Sequence, residues 1–234
     1  MSSTLKSPVL KRTRNFVSDA ADHIISAGKA AIQARGLFRL GLAGGNTPKG
    51  VYEALAAQPD CLPWDKVQIT FGDERCVAPE DSASNFRMAN ESLLSKVPIP
   101  QGNVFRIRGE IPAEQAAQEC ASQLAAVAAR FNEPIYSHDL LLLGLGEDGH
   151  TASLFPGSTA LSEYTKTVIP AFGPKPPPQR VSFTFPLINA AREVAFLVND
   201  PSKEPVIQEV LQGQHPAGKV SLNNGTVTWI IGEK

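Results

Sequence analysis

The chain has 234 residues, 42% of them hydrophobic, which is enough to bury one sizeable core and fits a single α/β domain over residues 1–234 better than two small ones. Lys and Arg number 22 against 23 Asp and Glu, for a formal net charge of -1, so no global basic field exists to hold nucleic acid or an anionic membrane, and any anion must be caught locally. Cys61, Cys76 and Cys120 are widely spaced, with no CxxC pair and no zinc-ligand spacing, which predicts free thiols in a reducing compartment. No stretch is apolar enough to span a bilayer. The opening residues, MSSTLKSPVLKRTRNF, lack the apolar core of a signal peptide, so the expected location is cytoplasmic. Residues 1–14 read as a flexible or peripheral segment; being basic and poor in acids, they leave an organellar transit function as the alternative.

Along the chain, Phe16, Ala20, Ile24, Ala27 and Ala31 recur at helical spacing and stop at Gly36, a residue suited to a left-handed C-terminal cap. Strand-like LFRLGLA follows, then the loop GGNTP with Thr47 as the expected N-cap and Pro48 as the first helical residue. KVQITFG reads as a second strand ending in the loop Asp73-Glu74-Arg75. Residues 112–130 form the clearest helix, and DLLLLGL at 139–145 is a continuous apolar strand of the kind buried on both faces of a parallel sheet. VSFTF, EVAFLVN and TVTWII supply three more strands, with a helix from about Pro201 to Leu211 between the last two. The Pro-rich piece GPKPPPQR is short enough to be a loop. This alternation predicts an α/β fold, a doubly wound, mostly parallel Rossmann-like sheet with helices on both faces.

In such sheets ligands bind beyond the carboxyl ends of the strands, and GGNTP, DER and GEDGH each follow a strand directly. Gly44, Gly45, Asn46 and Thr47 offer free N–H groups at a helix start, a setting that favours an anion such as phosphate. The loop is neither GxGxxG nor GxxxxGK[ST], which disfavours dinucleotides and nucleoside triphosphates. Lys203 lies in the first turn of a helix capped by Asp200, the unfavourable end of the dipole for a cation, and a bound anion would remove the conflict. Arg180, where the Pro-rich loop enters a strand, is a candidate second phosphate ligand. Asp73 and Arg75 read either as a structural ion pair or as holders of substrate polar groups.

His150 is one of four histidines and the only one in a glycine-rich loop, where its imidazole is a candidate general base. A metal site built from Asp73, Glu74, Asp148 and His150 lacks any spacing that fixes ligands, and Ser153 lies in HTASL rather than GxSxG, so neither metal nor serine hydrolysis is expected.

Together GLAGGNTPKGVYEAL, ITFGDERCVAPEDSASNFRMA and LLLGLGEDGHTASLFPG closely resemble, in order and spacing, the three signature segments of the 6-phosphogluconolactonases. RVSFTFPLIN and LVNDPSKEPVIQEVL look like that family's C-terminal arginine and lysine segments, so the resemblance runs over nearly the whole chain. Within the wider group, glucosamine-6-phosphate deaminases typically read NGHIGFNEP where this chain reads DGHTASLFP, which favours the lactonase. Asn46 stands where a serine is common; both side chains donate hydrogen bonds.

The resemblance implies hydrolysis of 6-phosphoglucono-1,5-lactone to 6-phosphogluconate, the second step of the oxidative pentose phosphate pathway, without cofactor or metal. It implies His150 as the base that activates water, Asp148 and Glu147 as shapers of its loop, and Arg75 with nearby N–H groups as oxyanion donors. Gly44, Gly45, Asn46, Thr47, Asp73, Arg180 and Lys203 are then the substrate-binding set. The expected partner is the phosphosugar lactone, with no nucleic acid or membrane, and the expected state is a monomer or weak homodimer. A deaminase/isomerase of the same group and a catalytically silent sugar-phosphate sensor are the alternatives; no helix-turn-helix or basic arm speaks for the sensor.

Overall fold

The computed structural model describes residues 7–233. In chain order it runs β1 (Val9–Thr13), α1 (Phe16–Arg35), β2 (Phe38–Leu42), α2 (Asn46–Ala56), β3 (Val67–Phe71), β4 (Asp73–Arg75), α3 (Asn85–Ala89), α4 (Ala113–Arg130), β5 (Leu140–Leu143), β6 (Val168–Phe172), β7 (Gln179–Phe183), α5 (Phe185–Ile188), β8 (Glu193–Val198), α6 (Glu204–Leu211) and β9 (Thr226–Gly232). Six strands form one parallel sheet in the order β1-β9-β8-β5-β2-β3; β4, β7 and β6 form a second, antiparallel sheet.

The expected helices and central strands are present for the reasons their sequences give. α1 buries Phe16, Ala20, Ala21, Ile24, Gly28 and Ala31 along one face and ends at Gly36, whose φ of 78° lets its N–H reach the Ile32 carbonyl at 2.8 Å. β2 and β5 are buried at every position, as their unbroken apolar runs require in the middle of a parallel sheet. Phe196 of β8 and Trp229 of β9 are register partners whose rings stack at 4.1 Å, a cross-strand aromatic pair joining the last two strands. The three cysteines are free thiols, and among the described residues no helix is long and apolar enough to cross a membrane.

Three expectations are corrected. The leader was expected to be flexible or peripheral over residues 1–14, yet residues 9–13 pair in parallel with β9 as the sheet's edge strand; residues 1–6 lie outside the described part. VLKRT carries charge and has no buried position, because an edge strand needs only one hydrogen-bonded side. Asp73-Glu74-Arg75 is a strand rather than a loop. At Gly72 the chain leaves the first sheet, with its N–H bonded to Leu42 O at 3.0 Å and its carbonyl accepting from Phe183 N at 2.9 Å, and enters the second. Finally, α2 begins at Asn46 with Gly45 as its cap, so Thr47 is not the N-cap. Gly45 has φ 95° and ψ 178°, a conformation that a side chain opposes, and Pro48 is tolerated inside the first turn because N–H groups there have no intrahelical acceptor.

Strand order reverses between β2 and β5: from β2 the next strand in sequence, β3, lies on one side, while β5, β8 and β9 extend to the other. The loops leaving β2 and β5 therefore diverge and open a crevice at the carboxyl edge, with the second sheet standing beside it.

Candidate active site

The crevice is a cleft of about 230 Å³, lined by Gly44, Gly45, Asn46, Thr47, Asp73, Arg75, His150, Arg180 and Lys203 among others. Every residue expected to touch substrate therefore faces one space. Asp148 is the exception among the expected site residues, and it reaches the cleft only through His150.

The turn after β5 holds the histidine. Gly149 N–H bonds to Gly146 O at 3.1 Å and Gly146 N–H to His150 O at 2.9 Å, folding residues 146–150 back on themselves. A side chain at Gly146 would put its Cβ 2.0 Å from His150 Nδ1, so only glycine leaves the imidazole its position. Asp148 Oδ1 accepts from the His150 backbone N–H at 3.2 Å and lies 2.5 Å from Nδ1. Partial burial would raise the Asp148 pKa, but these bonds from the His150 ring and backbone outweigh it and hold the carboxyl below its usual value. An ionised Asp148 accepts a proton-bearing Nδ1, which fixes the tautomer with the lone pair on Nε2. Glu147 instead points outward, an exposed carboxylate 3.9 Å from the equally exposed Lys175.

Two arginines face each other beside the turn. β4 and β7 are antiparallel, with Asp73 opposite Ser182 and Arg75 opposite Arg180. Arg75 donates to Ala83 O at 2.6 Å, while Arg180 Nη1 lies 3.9 Å from Asp73 Oδ2, so of the two readings of Asp73 and Arg75 the ion pair gives way to a cross-strand Asp73–Arg180 contact. Arg180 is only 8% exposed, and burial lowers its pKa; Asp73 opposes that and Arg75 adds to it. The Nε atoms of both arginines are buried without a hydrogen-bond partner, and like charges placed opposite each other on a ladder repel. The pair is thus short of negative charge, as an anion-binding site is.

The remaining parts of the cleft are fixed around these groups. Asp73 accepts from Ser153 Oγ at 2.5 Å and from Asn85 Nδ2 at 3.0 Å, which makes the fully buried Ser153 a support for Asp73. Gly44 packs so closely on Asn85 that a Cβ there would meet Asn85 Oδ1 at 2.1 Å. The N–H groups of Gly44 and Gly45 make no protein hydrogen bond among the described residues. Asp200 caps the turn Pro201–Lys203 by accepting from Ser202 N–H at 3.0 Å. Lys203 closes that turn just ahead of α6, and its Nζ donates to Leu145 O, which ties the lysine to the end of β5.

Glu74, only 3% exposed, is structural: it accepts from the backbone N–H groups of Arg75, Asn85 and Phe86 at 2.7–2.8 Å and so caps α3, while burial raises its pKa. No group of three or more His, Cys, Asp or Glu side chains is placed to hold a metal among the described residues. Sequence reasoning missed Asn85 and the supporting role of Ser153. The Ser84-Asn85 step at a helix start is the one local signal for the first, and nothing local marks the second.

Comparisons with known proteins identify the family. A family model described as glucosamine-6-phosphate isomerases/6-phosphogluconolactonase matches residues 11–229. A 6-phosphogluconolactonase of Synechocystis is 40% identical over 87% of this chain and 85% of its own length, and the human 6-phosphogluconolactonase is 38% identical over 86% and 80%. The crystal structure of a 6-phosphogluconolactonase from Thermotoga maritima superposes with a TM-score of 0.85 at 30% identity, covering 97% of this chain and all of that one. The chain therefore belongs to the glucosamine-6-phosphate isomerase/6-phosphogluconolactonase family.

Proposed function

We propose that the protein is a 6-phosphogluconolactonase, hydrolysing 6-phosphoglucono-1,5-lactone to 6-phosphogluconate, the second step of the oxidative pentose phosphate pathway. The observation that carries this reading is His150, oriented by Asp148, facing the same cleft as the Arg75–Arg180 couple, whose two positive charges meet only the single carboxylate of Asp73. Lactone hydrolysis needs a base for water and a proton for the ring oxygen that leaves. Nε2 of His150 takes the proton from water as its oxygen bonds to C1, and the imidazolium so formed returns a proton to the ring oxygen as the C1–O bond breaks. Asp148 holds the tautomer and stabilises the imidazolium, the role of the acid in a histidine triad.

The phosphate is assigned to the N–H groups of Gly44, Gly45, Asn46 and Thr47, with Arg180 and Lys203 as its cations. Asp73, fixed by Ser153 and Asn85, accepts from sugar hydroxyls. Arg75, opposite Arg180 on the β4–β7 ladder, serves the charge that develops on the carbonyl oxygen.

The test is hydrolysis of the phosphorylated lactone by the purified protein, corrected for the spontaneous reaction, beside an assay of ammonia release from glucosamine 6-phosphate. Lactone turnover without ammonia supports the assignment; ammonia release with no lactone turnover overturns it.

A further inference from the structure

Phe155 is a large aromatic residue, 7% exposed, that stands apart from the continuous hydrophobic core of the protein. Its neighbours explain the placement. One is the His150 imidazole, with ring centroids 4.3 Å apart and planes inclined at 39°. The other is the Arg180 guanidinium, whose Cζ lies 5.6 Å from the Phe155 centroid. Both distances fall within the range over which a ring face attracts a cation. A permanent cation and a group that becomes one during turnover thus share a single benzene ring, and a leucine of similar bulk would fill the space without that attraction.

We propose that Phe155 is a positioning residue that holds the His150 imidazole in its catalytic orientation, stabilises its protonated form through the ring face, and links it to the Arg180 end of the cleft. This inference rests on the reading of His150 as the base. Its geometry has three parts: Asp148 on the edge of the imidazole through Nδ1, Phe155 on its face, and Nε2 left open. The other charged groups around the pair are Asp73, Arg75 and Arg180 on the second sheet, the exposed Glu147 of the same turn, Lys203 beyond β8, and His215, whose side chain packs on Gly149 and pairs with Glu209 at 2.7 Å. Of these, Arg180 also faces the Phe155 ring, so the fluorinated series weakens its contact together with that of His150.

The experiment is site-specific replacement of Phe155 by a series of fluorinated phenylalanines, which keep the shape of the ring and progressively weaken its negative face. The His150 titration is followed by NMR on the intact protein. The expected result is a stepwise fall in the His150 pKa, reaching about half a unit for the most fluorinated ring, with a parallel loss of kcat of about 3- to 10-fold. Phe155→Tyr keeps the titration near that of the parent and Phe155→Leu lowers it. A flat titration across the fluorinated series, or a Phe155→Leu protein that is folded and titrates like the parent, overturns the inference. The titration needs no substrate, so its outcome is independent of whether the lactone is the true substrate. A flat series beside an inactive His150→Ala would remove Phe155 and leave the base assignment standing.

Discussion

Arg75 and Arg180 stand directly opposite each other across the β4–β7 ladder, each with a buried Nε that has no partner. A protein holds two like charges this way when a third group of opposite sign completes the arrangement. Arg180→Ala should therefore weaken binding of 6-phosphogluconate by about 1.5–3 kcal/mol, the cost of a charge-assisted hydrogen bond. The sharper measurement compares substrates. Unphosphorylated gluconolactone should be turned over poorly by the parent and almost equally poorly by Arg180→Ala and Lys203→Ala. Equal losses on both lactones would move these residues from phosphate binding to the reacting centre or to folding.

The histidine makes a different prediction. His150→Ala should lose turnover by ~10²–10⁴-fold, the usual contribution of a positioned base, while product binding survives. Asp148→Asn keeps an acceptor near Nδ1 but removes the charge, so kcat should fall with little change in the product dissociation constant. Isothermal titration of product alongside the lactone assay separates the two effects; a His150→Ala protein within a few-fold of the parent would remove the base from the mechanism.

Gly146→Ala tests the geometry of the turn rather than its chemistry. The added Cβ would lie 2.0 Å from His150 Nδ1 and 2.8 Å from Asp148 Oδ1, so the imidazole must move. We expect a loss of kcat of about 10²-fold, the penalty of a misplacement near 1 Å, with a thermal midpoint close to the parent's because the turn is at the surface of the cleft. An active Gly146→Ala would show that the turn yields without disturbing the base.

His138 sets an acid limit on stability, far from the chemistry. It is fully buried between Tyr136 and Phe183, bonds Thr70 Oγ1 at 2.8 Å, and burial, aided by Arg39, lowers its pKa to about 3. In the unfolded chain the imidazole titrates near 6.5, so above that pH both states are neutral and the group costs nothing. Below it the unfolded state binds a proton that the folded state refuses. Stability should therefore fall as pH drops from about 6.5 towards 3, by at most about 1.4 kcal/mol per pH unit from this group. Urea midpoints measured at several pH values, for the parent and for His138→Gln, would reveal the slope; an unchanged slope in the variant would assign the acid sensitivity to other groups.

Periodicity and apolar runs made the parallel sheet legible, because β2 and β5 bury every residue and α1 ends on a glycine that only a left-handed cap explains. The second sheet was hidden. Asp73-Glu74-Arg75 has no apolar alternation, and its strand state comes from pairing with β7, a partner more than a hundred positions on. β1 was equally invisible, since an edge strand with exposed Lys11 and Arg12 carries no burial signal. In the site, the glycine-rich loops and His150 announce themselves by composition. The replacement of the Asp73–Arg75 pair by Asp73–Arg180 depends on a cross-strand register that no local pattern encodes. The N-cap at Gly45 in place of Thr47 was decided by backbone shape, which outweighed the side-chain preference for a hydroxyl.

The strand order has a temporal side. Val9 pairs with Thr228 and Thr13 with Gly232, so the earliest described strand lies against the latest, which the ribosome delivers more than two hundred residues afterwards. During synthesis β1 emerges before its one neighbour, β9, exists, and β8 lacks one flank until β9 appears. The cleft-bearing strands β2, β3 and β5 meet earlier, which lets that half of the sheet assemble while the other waits. A nascent chain stalled before residue 226 would thus display an open strand edge on β8, a surface that chaperones bind and that pairs readily with another unfinished copy.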